Sequence, residues 1–223
     1  MSFDKKRQRI HVTAHSGAEN TPDNSLEFLQ TCVRLGFEIA EIDVTFRADG
    51  TPVLMHASSA GEQDGVLFAD AVAYIASASD SLRLNLDLKS VENLPAIVKI
   101  LEENEMLDRC FFTGVKEAWT EKVRTDTDGK IPYYLNYSFA FWKRYSAKCR
   151  HRALRRVRDC GAVGINCAHR MASHAMVELF RKNGLLTSFW TVNNERDMRR
   201  LIAFAPDNLT SRRPVRLLEI LNQ

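Results

Sequence analysis

Apolar positions along the chain fall into short strand-like runs, and the stretches between them carry apolar residues at helical spacing. The strand-like runs are Ile10–His15, Ile39–Phe46, Leu82–Leu88, Cys110–Val115, Ile131–Tyr137, Ala162–Cys167, Leu186–Val192 and a weaker one at Asn208–Ser211. Helices are expected over Ser25–Leu35, Phe68–Ala76, Val91–Glu105, Ala118–Thr125, Phe139–Asp159, Ser173–Asn183 and Glu195–Phe204, with a last one over Pro214–Leu221. Asp49-Gly50 followed by Thr51–His56 predicts a tight turn and a return strand attached to the second run. With that hairpin set aside, eight βα units remain.

Eight such units in 223 residues predict one (β/α)8 TIM barrel spanning residues 1–223 as a single domain. The competing α/β architecture is a doubly wound open sheet. Its dinucleotide-binding form needs a glycine-rich turn after the first strand, and Ala18-Glu-Asn-Thr-Pro-Asp-Asn24 is polar instead. No linker, low-complexity tract or shift in composition divides the chain.

A barrel concentrates chemistry at the C-terminal ends of its strands. His15 closes the first run. Glu41 and Asp43 lie two apart on the second run, on one side of a backbone whose side chains alternate. Asp87 and Lys89 repeat that spacing on the third, and His56 ends the return strand of the hairpin. Three carboxylates can hold a hard divalent cation such as Mg²⁺ or Ca²⁺ and leave positions open for phosphate oxygens. Lys89 would add a positive charge, and two histidines could divide the work of acid and base. An isolated Glu-x-Asp is as readily a solvated strand face, and Lys89 could simply pair with Asp87. The reading therefore depends on convergence at one rim. His56 joins only if the hairpin folds over it.

Composition narrows the class. The chain is 45% hydrophobic and 26% charged with a net charge of +3, which gives no basis for a nucleic-acid partner. No apolar stretch approaches a membrane span, and MSFDKKRQRI lacks the apolar core of a secretory signal. Five cysteines, odd in number and without a CxxC pair, fit neither a disulfide framework nor a zinc site and point to a reducing, cytoplasmic compartment. In the basic stretch Cys149–Arg158, Leu154 and Val157 share one helical face, as on an outer barrel helix. A patch for anionic lipid or nucleic acid is the other reading. His11, His151 and His174 read as surface or packing residues.

The ordered motifs resemble the glycerophosphodiester phosphodiesterase family. His15-Ser16-Gly17 and Pro22-Asp23-Asn24-Ser25 are similar to that family's His-Arg-Gly and Pro-Glu-Asn-Thr. Glu41-Ile-Asp43, Ala48-Asp49-Gly50 and His56-Ala57 match its Glu-x-Asp, its turn and its His-Asp. Asp87-Leu-Lys89 looks like its Glu-x-Lys, Trp190-Thr-Val-Asn193 like its Trp-Thr-Val-Asn, and Thr210-Ser-Arg-Arg-Pro214 like its closing Thr-Asp-x-Pro. The resemblance implies a metal-dependent phosphoric diester hydrolase acting on a small-molecule glycerophosphodiester or a related lipid-derived phosphodiester. It implies a divalent cation on Glu41, Asp43 and Asp87, His15 and His56 as the catalytic pair, Lys89 on the phosphate, and Trp190 in the substrate wall.

Three positions depart from that pattern. Ser16 stands where an arginine would grip phosphate, Ala57 replaces a carboxylate, and Asp87 is one methylene shorter than glutamate. The stretch between His56 and Leu82 is also too short for the family's usual insertion. Asp-x-Lys and the short insertion look like sphingomyelinase D-like phospholipases, which form an alternative. A degenerate barrel that only binds a phosphoester or a protein is a further one.

Overall fold

The computed structural model describes residues 9–223, and the part of the signal reading that rests on residues 1–8 lies outside them. All eight strand runs appear, at β1 (His11–Ala14), β2 (Ile39–Phe46), β5 (Arg83–Leu88), β6 (Cys110–Val115), β7 (Tyr133–Asn136), β8 (Gly164–Ala168), β9 (Leu186–Trp190) and β10 (Asn208–Ser211). They pair in parallel in the order β1-β10-β9-β8-β7-β6-β5-β2, and β1 meets β2 to close the ring. This is the expected (β/α)8 barrel. The predicted hairpin is β3 (Pro52–Leu54), antiparallel to the upper part of β2 from Val44 to Phe46. A two-residue strand, β4 (Val66–Leu67), pairs with β3 and had no signature in the sequence.

Helices cover the outside of the barrel: α1 (Leu26–Arg34), α2 (Phe68–Ala78), α3 (Leu94–Glu103), α4 (Thr120–Asp126), α5 (Ala147–Asp159), α6 (His174–Lys182), α7 (Glu195–Ile202) and α8 (Pro214–Leu221). Their starts are chemically marked. Ser25, Ser146, Ser173 and Asn194 each accept a backbone N–H from the first turn of α1, α5, α6 and α7. The Ser146 cap explains a correction: the helix expected over Phe139–Asp159 is two pieces, a 3₁₀ turn at Phe141–Tyr145 and then α5. On α5, Leu154 and Val157 are buried while Arg152, Arg155, Arg156 and Arg158 face outward. Burying each of those two apolar side chains contributes about 1.5–3 kcal/mol, so packing alone accounts for the pattern on this helix.

The barrel interior departs from the branched apolar filling usual in this architecture. A plug of Ile39, Phe111 and Tyr134 closes its lower end. Above it the inward positions are polar and bonded to one another. Thr13 donates to Asn208 at 2.8 Å, Asn208 to Ser188 at 3.0 Å, Asn166 to Asn136 at 2.9 Å and Thr113 to Asn85 at 2.8 Å. Buried polar groups persist only when paired, and this ring of partners is what allows a polar floor beneath the mouth of the barrel. Gly114 sits in that wall at φ 74°, where a Cβ would lie 2.5 Å from the Leu88 carbonyl oxygen. Only glycine fits there, and the β6–β7 register shifts around it.

Candidate active site at the barrel mouth

The site is built by register. In the parallel pairing of β2 with β5, Asp43 lies opposite Asp87 and Glu41 opposite Asn85. The next strand places Thr113 opposite Asp87, and the Thr113 hydroxyl donates to Asp87 Oδ1 at 2.7 Å. Oxygen atoms of Glu41, Asp43 and Asp87 all come within 4.8 Å of one another. His15 arrives from the end of β1. His56, two residues beyond β3, is carried over the mouth by the hairpin, and its Nδ1 lies 3.1 Å from Asp43 Oδ2. Together with Lys89 and Trp190, these groups line one cavity of about 300 Å³. Asn85, Thr113, Asn136, Asn166 and Thr210 form its floor and sides.

His15, Glu41, Asp43, His56, Asp87, Lys89 and Trp190 all line this cavity, but their surroundings differ. Lys89 bridges two carboxylates, lying 2.8 Å from Asp43 Oδ1 and in closer contact with Asp87. Burial alone would lower the Lys89 ammonium, but the facing charges of Asp87 and Asp43 outweigh it and hold the group well above its ordinary range. Burial would likewise raise the Asp43 carboxyl, but Lys89 and the Asn24 amide overcome it and keep the carboxyl below the usual value. Glu41 has no such relief. Burial first, then the charges of Asp43 and Asp87, push it well above the carboxylate range, against the opposing Ser16 N–H and Lys89. Three carboxylates thus share one lysine.

That excess of negative charge on hard oxygen donors, at a cavity with room for water, suits a divalent cation of the Mg²⁺ or Ca²⁺ type. Glu41, Asp43 and Asp87 are the residues that would hold it.

His15 donates from Nδ1 to its neighbour's carbonyl, Ser16 O, at 2.9 Å. A carbonyl can only accept, so the proton sits on Nδ1 and the lone pair on Nε2. Burial is the main cause that lowers the His15 pKa, which favours the neutral ring. Ser16 itself does not face the cavity. It is fully buried, its N–H donates to Glu41 Oε2 at 2.9 Å, and its hydroxyl donates to Asn24 Oδ1 at 3.1 Å. Ala57, next to His56, is exposed. His11 pairs with Glu38 through Nδ1 at 2.7 Å, near the opposite end of β1 from His15.

Sequence reasoning gave no role to Asn24 or to the floor of the cavity. Asn24 donates to Asp43 Oδ2 at 2.8 Å and accepts the Asp43 N–H at 2.9 Å. Asn85 did carry a signal, since it precedes Asp87 by two positions and so shares its face. Asn136 ends β7 and Asn166 lies in the middle of β8, with nothing in their local sequence to mark them.

No family model matches the chain. Over 56 residues it is 39% identical to glycerophosphodiester phosphodiesterase 1 of Bos taurus, a match covering 25% of this chain and 17% of that protein. The matched stretch thus spans less than a fifth of the curated relative's length. Among solved structures, a Galdieria sulphuraria protein provisionally named a glycerophosphodiester phosphodiesterase superposes with a TM-score of 0.81 at 14% identity, covering 98% of this chain and 100% of that one. An Oleispira antarctica phosphodiesterase, solved with its product sn-glycerol-3-phosphate, gives 0.76 at 19% identity over 96% and 97% of the two chains. The barrel fold therefore matches that of these two structures over nearly its whole length.

Proposed function

We propose that this barrel of glycerophosphodiester phosphodiesterase type is a metal-dependent phosphoric diester hydrolase. Its substrate is a glycerophosphodiester or a related lipid-derived phosphodiester, cleaved to an alcohol and a phosphomonoester. The observation that carries the reading is the meeting of Glu41, Asp43 and Asp87 with two histidines around one open cavity. A divalent cation on those carboxylates would neutralise charge developing on the phosphoryl oxygens.

The remaining steps belong to the side chains. Neutral His15, with its lone pair on Nε2, takes the proton of the attacking water. His56, held through Nδ1 by Asp43, presents its other nitrogen to the leaving oxygen and protonates it. Lys89 keeps Asp43 and Asp87 in position and lends its charge to the phosphate. Trp190, at the end of β9, supplies the apolar wall for the organic part of the substrate.

Among the described residues no helix is long and apolar enough to cross a membrane. All five cysteines are unpaired thiols and four are buried, which supports a reducing, cytoplasmic setting.

The test is turnover of a panel containing glycerophosphocholine, a lysophospholipid and sphingomyelin, after chelation and after return of Mg²⁺ or Ca²⁺. Cleavage that is lost on chelation and lost again in His15→Ala and Asp43→Ala is expected. Cleavage indifferent to chelation and to both substitutions would sink the mechanism. Preference for sphingomyelin would move the chain to the phospholipase reading, and phosphoester binding without turnover would mark a binding barrel.

A further inference from the structure

A phosphodiester is an anion, yet the cavity offers it little uncommitted positive charge. Lys89, the lysine on its wall, is already paired with Asp43 and Asp87. Residue 16, beside the first histidine, is a buried serine bonded to Asn24. A further side-chain charge, free to move onto the phosphate beside Lys89 and the cation, has to come from elsewhere on the rim.

We propose that Arg212 is the phosphate-binding arginine of this site, parked on Asp23 when no substrate is present. The proposal rests on the phosphodiesterase reading above and deepens it.

Strand register brings Arg212 to the right place. In the β1–β10 pairing Thr13 lies opposite Thr210 and Ala14 opposite Ser211, so the same register carried one step further sets His15 beside Arg212. Thr210 faces the cavity, and side chains alternate, so residue 212 returns to the same face one layer higher. The backbone there is fixed at several points. His15 N–H donates to Ser211 O at 2.8 Å, Arg212 N–H to Asn193 Oδ1 at 2.9 Å, and Glu19 N–H to Arg212 O at 3.1 Å.

The side chain, by contrast, is lightly held. Its guanidinium lies against the His15–Gly17 loop, close enough that a Cβ on Gly17 would meet Nη1 at 3.0 Å. Its ion pair is with Asp23, at 2.9 Å, with side chains 41% and 54% exposed. An ion pair this open stabilises little, whereas a guanidinium gripping phosphate oxygens at a desolvated mouth makes two charge-assisted bonds. Exchange of Asp23 for a bound phosphate is therefore downhill. Gly17 permits the parked pair, since a Cβ there would meet Asp23 Oδ1 at 1.9 Å and disturb it. Asp23 then acts as a placeholder that keeps the arginine extended over the rim.

The experiment compares Arg212→Ala, Arg212→Lys and Asp23→Asn in the full chain with Mg²⁺ or Ca²⁺ present. Binding of sn-glycerol-3-phosphate is measured by calorimetry, and KM and kcat on the best substrate of the panel are measured alongside. Arg212→Ala should weaken phosphomonoester binding and raise KM by about tenfold or more, with Arg212→Lys between it and the parent. Asp23→Asn should bind the phosphomonoester at least as tightly as the parent, because the competing carboxylate is gone. Binding and KM of Arg212→Ala within about twofold of the parent would overturn the proposal. So would an Asp23→Asn variant as impaired as Arg212→Ala, which would make the pair a structural strap. A parent chain that neither turns over nor binds the phosphomonoester would remove the phosphodiesterase reading itself, and this inference with it.

Discussion

Asn24 grips Asp43 from two directions, donating its amide to the Oδ2 carboxylate oxygen and accepting the Asp43 backbone N–H. It does so from a left-handed backbone conformation, φ 53°, which asparagine tolerates better than most residues. The result is a carboxylate fixed in one orientation before any cation arrives.

Replacing Asn24 with Asp keeps the shape but removes the donor and adds a like charge beside Asp43. We expect Asn24→Asp to lower the affinity for Mg²⁺ or Ca²⁺ by about 10–100-fold, the range for a partner that orients a metal-ligating carboxylate. Loss of paired buried groups should also lower the melting temperature by roughly 10 °C. Metal titration by calorimetry, with thermal melts alongside, checks both. Unchanged affinity would mean that Asp43 does not depend on Asn24 for its orientation.

Lys89→Met tests whether the lysine and a divalent cation serve the same carboxylates. Without the cation, Asp43 and Asp87 lose their shared ammonium, at a cost of about 1–3 kcal/mol given that the pair is only partly buried. Saturating Mg²⁺ or Ca²⁺ should then raise the melting temperature of Lys89→Met by more than it raises that of the parent. Equal increments in both proteins would show that the two charges act on different groups.

The strand residues of this site were readable in the sequence because strands have a fixed period. Glu41 with Asp43, and Asp87 with Lys89, announce a common face by spacing alone, and the barrel count says which end of the strands to look at. Asn24 and Ser16 were not readable in the same way. Each acts through a loop, where no periodicity relates position to direction. Ser16 looked like a lost phosphate ligand, yet in the structure its hydroxyl and N–H organise Asn24 and Glu41. The start of the helix expected from Phe139 was misplaced for a related reason. Apolar spacing ran through Ser146, and only the hydrogen bond it accepts from Cys149 N–H shows that α5 starts there.

The thiols offer a check on the packing. Cys32, Cys110, Cys160 and Cys167 are buried, whereas Cys149 is only partly covered. Burial pushes the Cys32 and Cys110 thiols up to about 12, which leaves almost no reactive thiolate at neutral pH. Iodoacetamide on the folded protein should therefore modify Cys149 first, with the other four reacting only after denaturation. Peptide mapping that finds Cys32 or Cys167 labelled as fast as Cys149 would contradict the buried arrangement.

Glu41 gives the site a defined pH dependence. Its folded pKa lies above its unfolded one, because of burial and then the charges of Asp43 and Asp87. Protonated Glu41 therefore contributes stability below the ordinary carboxylate range, and that contribution is lost as pH rises through the folded value. Asp43 runs the other way, since its lowered value adds stability above the ordinary range that is lost in acid. A divalent cation binds the ionised form of Glu41, so at acid pH it must first displace a proton, and at higher pH it need not. The rise in melting temperature on saturation with Mg²⁺ or Ca²⁺ should accordingly grow as pH rises from the ordinary carboxylate range through the raised folded value of Glu41. Glu41→Gln keeps an oxygen to accept the Ser16 N–H but cannot ionise. Without metal, at a pH above the folded value of Glu41, it should melt above the parent, and its metal response should be small and flat with pH. A parent protein whose metal increment does not change across that range would show that Glu41 is already ionised, and the excess negative charge attributed to the three carboxylates would have to be balanced by another group.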